Sequence, residues 1–308
     1  MDVAGLLQRL RAQRGFVAAE VLDAKVGRIG RWFAEQHLDA AVVGVSGGID
    51  SALTLALLCR ARDQPGSALE RVVAVLAPID RPGATDQASA TGRGLAVTEA
   101  LELADDDVWT VPQSDATASM VGSIESASGL TFDAWAAGQL LSVVRTPVLY
   151  GAAALLQQEG FRSVVVGTTN RDEGAYLGFF GKASDAMVDL QLISDLHKSE
   201  VRQLARRFPL PAAVFDSPPA GDVWDGRTDE EMIGVSYEIV ELVVRLRELG
   251  FGPHNLEAAL DEVGMTHLQS AWEAVDRLHA HNSHKYAVGA PSVHLDVLPR
   301  AVPGGWAD

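Results

Sequence analysis

Apolar residues recur along this chain in two rhythms. Short unbroken runs at 40–45, 71–77 (R-V-V-A-V-L-A), 107–111 (D-V-W-T-V) and 163–167 (S-V-V-V-G) have the length and β-branched content of strands buried on both faces. Between them, apolar positions three or four apart predict helices near 3–13, 18–36, 51–62, 86–101 and 138–158. Strands alternating with helices predict an α/β fold, a doubly wound parallel sheet flanked by helices, whose ligands bind beyond the carboxyl ends of the strands. After residue 208 the pattern changes. The segment 209–228 holds Pro209, Pro211, Pro218, Pro219, Gly221 and Gly226, is too long for an ordinary connection, and reads as a mobile loop. Helices near 229–249, 254–263 and 267–281 and an irregular tail from 286 complete the pattern. The expected organisation is one domain, with a sheet core over 20–208 and a helical C-terminal part over 229–286.

The first strand runs into A-V-V-G-V-S-G-G-I-D-S at 41–51. Ser46, Gly47 and Gly48 form a turn, and Ile49, Asp50 and Ser51 open the helix that carries Leu53, Leu55, Leu57 and Leu58. A glycine-rich turn at a helix N-terminus bares backbone N–H groups beside the positive end of the helix dipole, which suits a phosphate. No Gly-Lys-Ser/Thr follows, so the turn is not a Walker-type loop. A second motif, G-T-T-N-R-D-E at 167–173, follows the fourth strand in the same way. Asp50 and Glu173 are thereby expected at one sheet edge. Two carboxylates beside a polyphosphate form a natural Mg²⁺ site, because magnesium takes a few carboxylate oxygens and completes its shell with phosphate and water.

Composition narrows the partners. The formal charge of −16 argues against nucleic acid and anionic membrane surfaces, while local cations, a metal ion and backbone amides still suffice for a nucleotide. Cys59 is the single cysteine, which excludes a disulfide framework and a thiolate metal cluster. The first twenty residues lack the continuous apolar run of a secretory signal, and no stretch is expected to reach the length of a membrane-spanning helix. The expected location is cytoplasmic.

The loop at 46–51 resembles the pyrophosphate-binding S-G-G-x-D-S loop of the ATP pyrophosphatases, which cleave ATP between its α and β phosphates. G-F-F-G-K-A-S-D-A-M-V-D at 178–189, L-I-S-D-L-H-K-S-E-V-R-Q-L-A at 192–205, S-P-P-A-G-D-V-W-D-G-R-T-D-E-E at 217–231 and the His284-Lys285 pair extend the likeness. Together these motifs resemble the ammonia-dependent NAD synthetases over about residues 20–286. That resemblance implies an adenine nucleotide alpha hydrolase-like fold, a symmetric homodimer, and ATP and Mg²⁺ used to adenylate the nicotinate carboxylate of deamido-NAD before ammonia displaces AMP. It implies ATP contacts at Ser46–Ser51, Thr168 and Lys198, and metal carboxylates at Asp50 and Glu173. Substrate contacts would be Trp135, Arg145, Lys182, Asp189, His284 and Lys285. Lys182 and Asp185 would lie at the reacting carboxylate, with Asp185 a candidate base toward ammonium. With no glutaminase visible in the sequence, ammonia or a separate ammonia-supplying protein is the expected nitrogen source.

Departures from the family pattern gather on the acceptor side. Gln139 and Val143 stand where Asn and Arg are usual in the interface helix, Tyr286 replaces the arginine after the His-Lys pair, and Ala220 replaces a Ser/Thr. Two lost arginines would remove charge-assisted hydrogen bonds worth roughly 1.5–3 kcal/mol each. Three readings stay open: an NAD synthetase, a relative amidating a smaller heteroaromatic or nucleoside carboxylate, and a non-catalytic nucleotide-binding homologue.

Overall fold

A computed structural model describes residues 2–80, 87–217, 228–252, 262–286, 293–295 and 297–298. Its centre is a six-stranded, wholly parallel sheet of β1 (Ala40–Gly44), β2 (Arg71–Leu76), β3 (Val108–Thr110), β4 (Ser163–Gly167), β5 (Leu190–Gln191) and β6 (Val293–His294). The spatial order is β3-β2-β1-β4-β5-β6. The chain builds outward from β1 in one direction, then returns to β4 and builds outward in the other. The strand order therefore reverses between β1 and β4, and a crevice opens beyond their carboxyl ends. The loops after these two strands carry the two glycine-led motifs.

Helices cover both faces, as the unbroken apolar strands require. On one side lie α2 (Ala18–Gln36), α3 (Ile49–Arg62) and α7 (Lys198–Ala205), packed on one another. Leu53, Leu55, Leu57 and Leu58 of α3 are fully buried there, each worth roughly 1.5–3 kcal/mol of removed apolar surface. The other face is covered by α6 (Ala134–Gln158), through Ala152, Ala153 and Leu156 against β1 and β4. The helices α4 (Gln87–Ala100), α5 (Ser114–Ser128) and α8 (Ala212–Asp216) pack on β2, α6 and α3 respectively. A second core joins α1 (Val3–Arg14), α10 (Tyr237–Glu248) and α11 (Glu262–Asn282), with Leu6, Leu10, Val243 and Trp272 at its centre.

Several sequence expectations change here. The helix expected over 229–249 is two, α9 (Asp229–Ile233) and α10. Gly234 adopts the left-handed conformation (φ 85°), and the Ser236 side chain accepts the Ile239 N–H to start a new helix. α5 was not expected, because its Ser-, Ala- and Gly-rich sequence buries only Thr117 and so carries no apolar stripe. Pro211 caps α8 inside what reads as an irregular loop. Residues 218–227 of that loop, including Ala220, lie outside the described residues, as does most of the helix expected over 254–263.

The long helix corrects another expectation. At 25 residues, with a window of mean hydropathy 1.3, α6 is long and apolar enough to cross a membrane. Its apolar character instead serves two sides. One face packs on β1 and β4, while Trp135, Val143 and Leu155 are exposed around the rest of the helix.

Candidate active site

The turn after β1 is shaped by its smallest residues. Gly47 has φ +80°, and a Cβ there would stand 2.2 Å from the Ala90 carbonyl oxygen on α4. Only glycine fits both the backbone conformation and the close approach. Arg93 of α4 donates to the Gly47 carbonyl at 3.2 Å. Ser51 closes the turn on itself, accepting from the Ser46 N–H at 3.2 Å and donating to the Gly48 carbonyl at 3.0 Å.

Beside this turn, three charged side chains from three elements converge. The Lys198 ammonium, on the first residue of α7, lies 2.5 Å from Asp50 and 3.3 Å from Glu173. Asn170 donates to the other Asp50 oxygen at 3.0 Å, and its own side-chain oxygen accepts the Glu173 N–H at 3.1 Å. Tyr237, the first residue of α10, donates to Glu173 at 2.9 Å, has its hydroxyl 3.2 Å from Asp229, and sets its ring 4.8 Å below the Lys198 ammonium. Burial, opposed by Lys198 and assisted by Asp50 and Asp229, holds the Glu173 carboxyl well above the usual range. Lys198 moves up as well: the nearby Asp50 and Glu173 charges outweigh the burial that would lower it. Asp50 and Glu173 thus share one ammonium, with Asp229 close behind Tyr237, a crowding of carboxyl groups that a divalent cation would relieve.

A cavity of about 180 Å³ opens next to the turn, bounded by Ser46, Ala77, Arg145, Thr168, Asp185 and Val188 among others. Arg145 reaches across from α6 to the Ala77 carbonyl at 3.2 Å. Asp185 sits in a tight turn, its Oδ2 accepting from the Gly181 N–H and the Ser184 hydroxyl, both at 3.0 Å. Lys182 is exposed on the same turn. Lys285 donates to the Gly178 and Phe180 carbonyls at 2.8 and 2.7 Å, close enough to feel Asp185 and Lys182, and burial lowers its pKa.

Other expected contacts stand elsewhere. Asp189 holds the sheet, with one carboxylate oxygen on the Val165 N–H at 2.8 Å and the other on the Tyr150 hydroxyl at 3.3 Å. Trp135 is 52% exposed at the start of α6, and His284 is exposed with its Nδ1 against the His281 carbonyl. Tyr286 does not present itself to a ligand in place of an arginine. Its hydroxyl donates to the Gly174 carbonyl at 2.8 Å and its ring meets Phe180 edge-on, so it is a packing residue. Asn170, Asp229 and Tyr237 are the members of the charged cluster that sequence reasoning missed. Asn170 lay inside a quoted motif, whereas nothing near Tyr237 marks it.

The sequence profile of the NAD synthase family matches residues 21–288. The chain belongs to the NAD synthase family. An NH(3)-dependent NAD(+) synthetase of Methanococcoides burtonii is 30% identical over 244 residues, covering 78% of this chain and 85% of that one. The protein of the same description from Methanosarcina acetivorans is 33% identical over 257 residues, with 80% and 88% covered. Among solved structures, NMN synthetase from Francisella tularensis superposes with a TM-score of 0.68 at 23% identity, covering 88% of this chain and 96% of that one. An NAD+ synthetase from Burkholderia pseudomallei gives 0.65 at 22%, with 93% and 96% covered. These superpositions show the shared family fold.

Proposed function

We propose that the chain is an ammonia-dependent amide ligase. It transfers AMP from ATP to a carboxylate and lets ammonia displace that AMP, with deamido-NAD as the acceptor and NAD as the product. The observation that carries this reading is the Asp50–Lys198–Glu173 cluster beside a glycine turn at the sheet's switch point.

The chemistry follows from the groups present. Hydroxide leaves a carboxylate poorly, so activation must supply a better leaving group, and AMP is one. The N–H groups of the 46–51 turn and the N-terminus of α3 hold phosphate oxygens. Lys198 offsets charge that builds on the transferring phosphoryl group. The donor set at Asp50 and Glu173 fits Mg²⁺, and the crowded negative charge there matches what a divalent ion would neutralise. When bound, Mg²⁺ supplies charge neutralisation along the triphosphate. Asp185, at the cavity edge, takes a proton from ammonium so that ammonia can attack, and Lys182 on the same turn faces the developing charge. Thr168, at the cavity wall, contributes to the nucleotide side, and Arg145 and Lys285 to the acceptor side.

Ammonia is the nitrogen donor in this reading. Cys59 is buried within α3 and burial pushes its thiol up to about 12, so it cannot act as a glutaminase nucleophile. The working form is a homodimer in the cytoplasm, joined through the exposed apolar side chains of α6. Trp135, Val143 and Leu155 stand out of that helix at 52%, 37% and 54% exposure, more apolar surface than a solvated helix face carries. Light scattering should give twice 32.7 kDa.

A second acceptor class rests on one observation: Gln139 and Val143 expose a face of α6 that offers no cation to a dinucleotide's diphosphate. The deciding experiment incubates the protein with ATP, Mg²⁺, ammonium and either deamido-NAD or a smaller pyridine carboxylate, and follows products by mass spectrometry. AMP, pyrophosphate and NAD are expected. ADP as the stoichiometric product would refute the reaction, and AMP release only with the smaller acid would refute the acceptor.

A further inference from the structure

Lys198 is held at both ends. Its ammonium spans Asp50 and Glu173, while its backbone N–H, the first of α7, donates to Asp172 Oδ2 at 2.7 Å. Asp172 immediately precedes Glu173 in a π-helical turn (Asp172–Leu177), and the two side chains serve opposite directions. Glu173 meets Lys198 and Tyr237, while Asp172 turns back into the protein toward the start of α7. The second Asp172 oxygen, Oδ1, accepts from His197 Nδ1 at 2.6 Å. His197 is the N-cap of α7, and its own N–H donates to Glu200 at 2.9 Å. The Arg171 N–H completes the junction by donating to the Leu196 carbonyl at 2.8 Å.

Both side chains of the pair are fully buried, at 0% exposure. Among the described residues His197 Nε2 makes no hydrogen bond. A buried imidazole with one nitrogen unmet is a poor choice for stability alone, since an apolar residue of similar size would avoid that desolvation. What an apolar residue could not supply is the Nδ1–H that orients Asp172. Nothing in the pair touches the cavity, so it acts on the site only through Lys198 and Glu173.

We propose that Asp172 and His197 are a buried positioning pair that sets the separation of Lys198 and Glu173 over Asp50. The proposal rests on the ligase reading above. Asp172 fixes the turn that carries Glu173 to the helix start that carries Lys198, and His197 fixes Asp172. Loss of the Nδ1 donor lets the Asp172 carboxylate rotate, and Lys198 then shifts relative to the phosphate turn. Displacements of about 1 Å in such groups cost on the order of 10²-fold in rate.

The test compares His197→Asn with His197→Gln. The Asn amide places an N–H where Nδ1 sits, whereas the longer Gln reaches the Nε2 position and turns its amide away from Asp172. Each variant is checked for folding by circular dichroism. Pyrophosphate release gives kcat and the KM for acceptor, and calorimetry gives the affinity for ATP with Mg²⁺. His197→Asn should stay within about threefold of wild type in kcat, and His197→Gln should lose about tenfold or more with an unchanged acceptor KM and weaker nucleotide binding. Equal kcat in the two folded variants, or a folded Asn variant as impaired as Gln, overturns the proposal. If Gln does not fold, Asn alone decides, because lost turnover in folded His197→Asn is incompatible with rescue through Nδ1. Absence of pyrophosphate release from wild type would instead defeat the ligase reading and leave the calorimetric comparison to judge the pair.

Discussion

On the phosphate-turn side of the crevice, Asp50, Asn170, Glu173, Lys198 and Tyr237 come from four separate segments and are locked by hydrogen bonds into a buried cluster. On the α6 side, Trp135, Gln139, Val143 and Lys182 stand exposed on one helix face and one turn. The first region is built from side chains that hold one another in place. The second is open, and Trp135 and Val143 face outward. The contrast matches the two jobs. Cleaving ATP demands fixed charges at fixed distances, and preorganisation is what such chemistry gains from. Recognising an acceptor demands shape and a few polar contacts, which tolerate change.

The largest effect should follow from breaking the locked side. Asp50→Asn and Lys198→Met each remove one of the opposed charges, and each should lower the rate of AMP formation by about 10²–10³-fold with the fold intact. Single-turnover assays at saturating ATP and Mg²⁺ measure this. Near-native rates in either variant would remove the cluster from the chemistry. Gly47→Ala comes next. Its Cβ would meet the Ala90 carbonyl oxygen at 2.2 Å, a backbone atom that cannot swing aside, and φ is +80° besides. The turn must open, so ATP affinity should fall roughly 10–100-fold, while Gly92→Ala, which meets nothing within 4 Å, should not change it.

Sequence alone made the locked side legible in part. The β1 run, the glycine turn and Asp50 are contiguous, and Glu173 and Lys198 sit in quoted motifs, so local pattern carried them. Tyr237 was not legible, because it reaches Glu173 only through the packing of α10, which no local pattern encodes. The same holds for Asp172 and His197, which look like solvated charges until the turn buries them. Strands β5 and β6, of two residues each, are too short for any periodicity to show. Tyr286 shows the opposite failure. Motif spacing set it where relatives carry an arginine, while its hydroxyl and ring are occupied by Gly174 and Phe180.

That correction sharpens the acceptor test. Tyr286→Arg would bury a guanidinium among packed rings and should destabilise rather than improve the protein. Val143 is different: it is exposed on α6, so Val143→Arg adds a cation without disturbing the packing inside its own subunit. If the open side lacks charge for a diphosphate, kcat/KM for deamido-NAD should rise by about tenfold or more, the worth of one charge-assisted hydrogen bond, with ATP affinity unchanged. No change in kcat/KM would mean that existing cations such as Arg145 already hold the diphosphate.

The smallest expected effect is on stability, and it shows what the locked side costs. Burial holds the Glu173 carboxyl at about 8 against an ordinary 4.5. Between those two values the folded protein keeps a proton that the unfolded chain has released. Stability from this group is therefore present at low pH and lost as pH rises from about 4.5 toward about 8. Glu173→Gln removes the titration but keeps an oxygen able to accept from Tyr237 and Lys198. The variant should be inactive yet more stable near pH 7.5, with a Tm higher by several degrees. The advantage should shrink toward zero near pH 5. Thermal unfolding of both proteins across that range measures it. A Tm difference that does not vary with pH would mean the carboxylate is already neutralised by Lys198 alone. In that case the excess negative charge attributed to this half of the site would be absent.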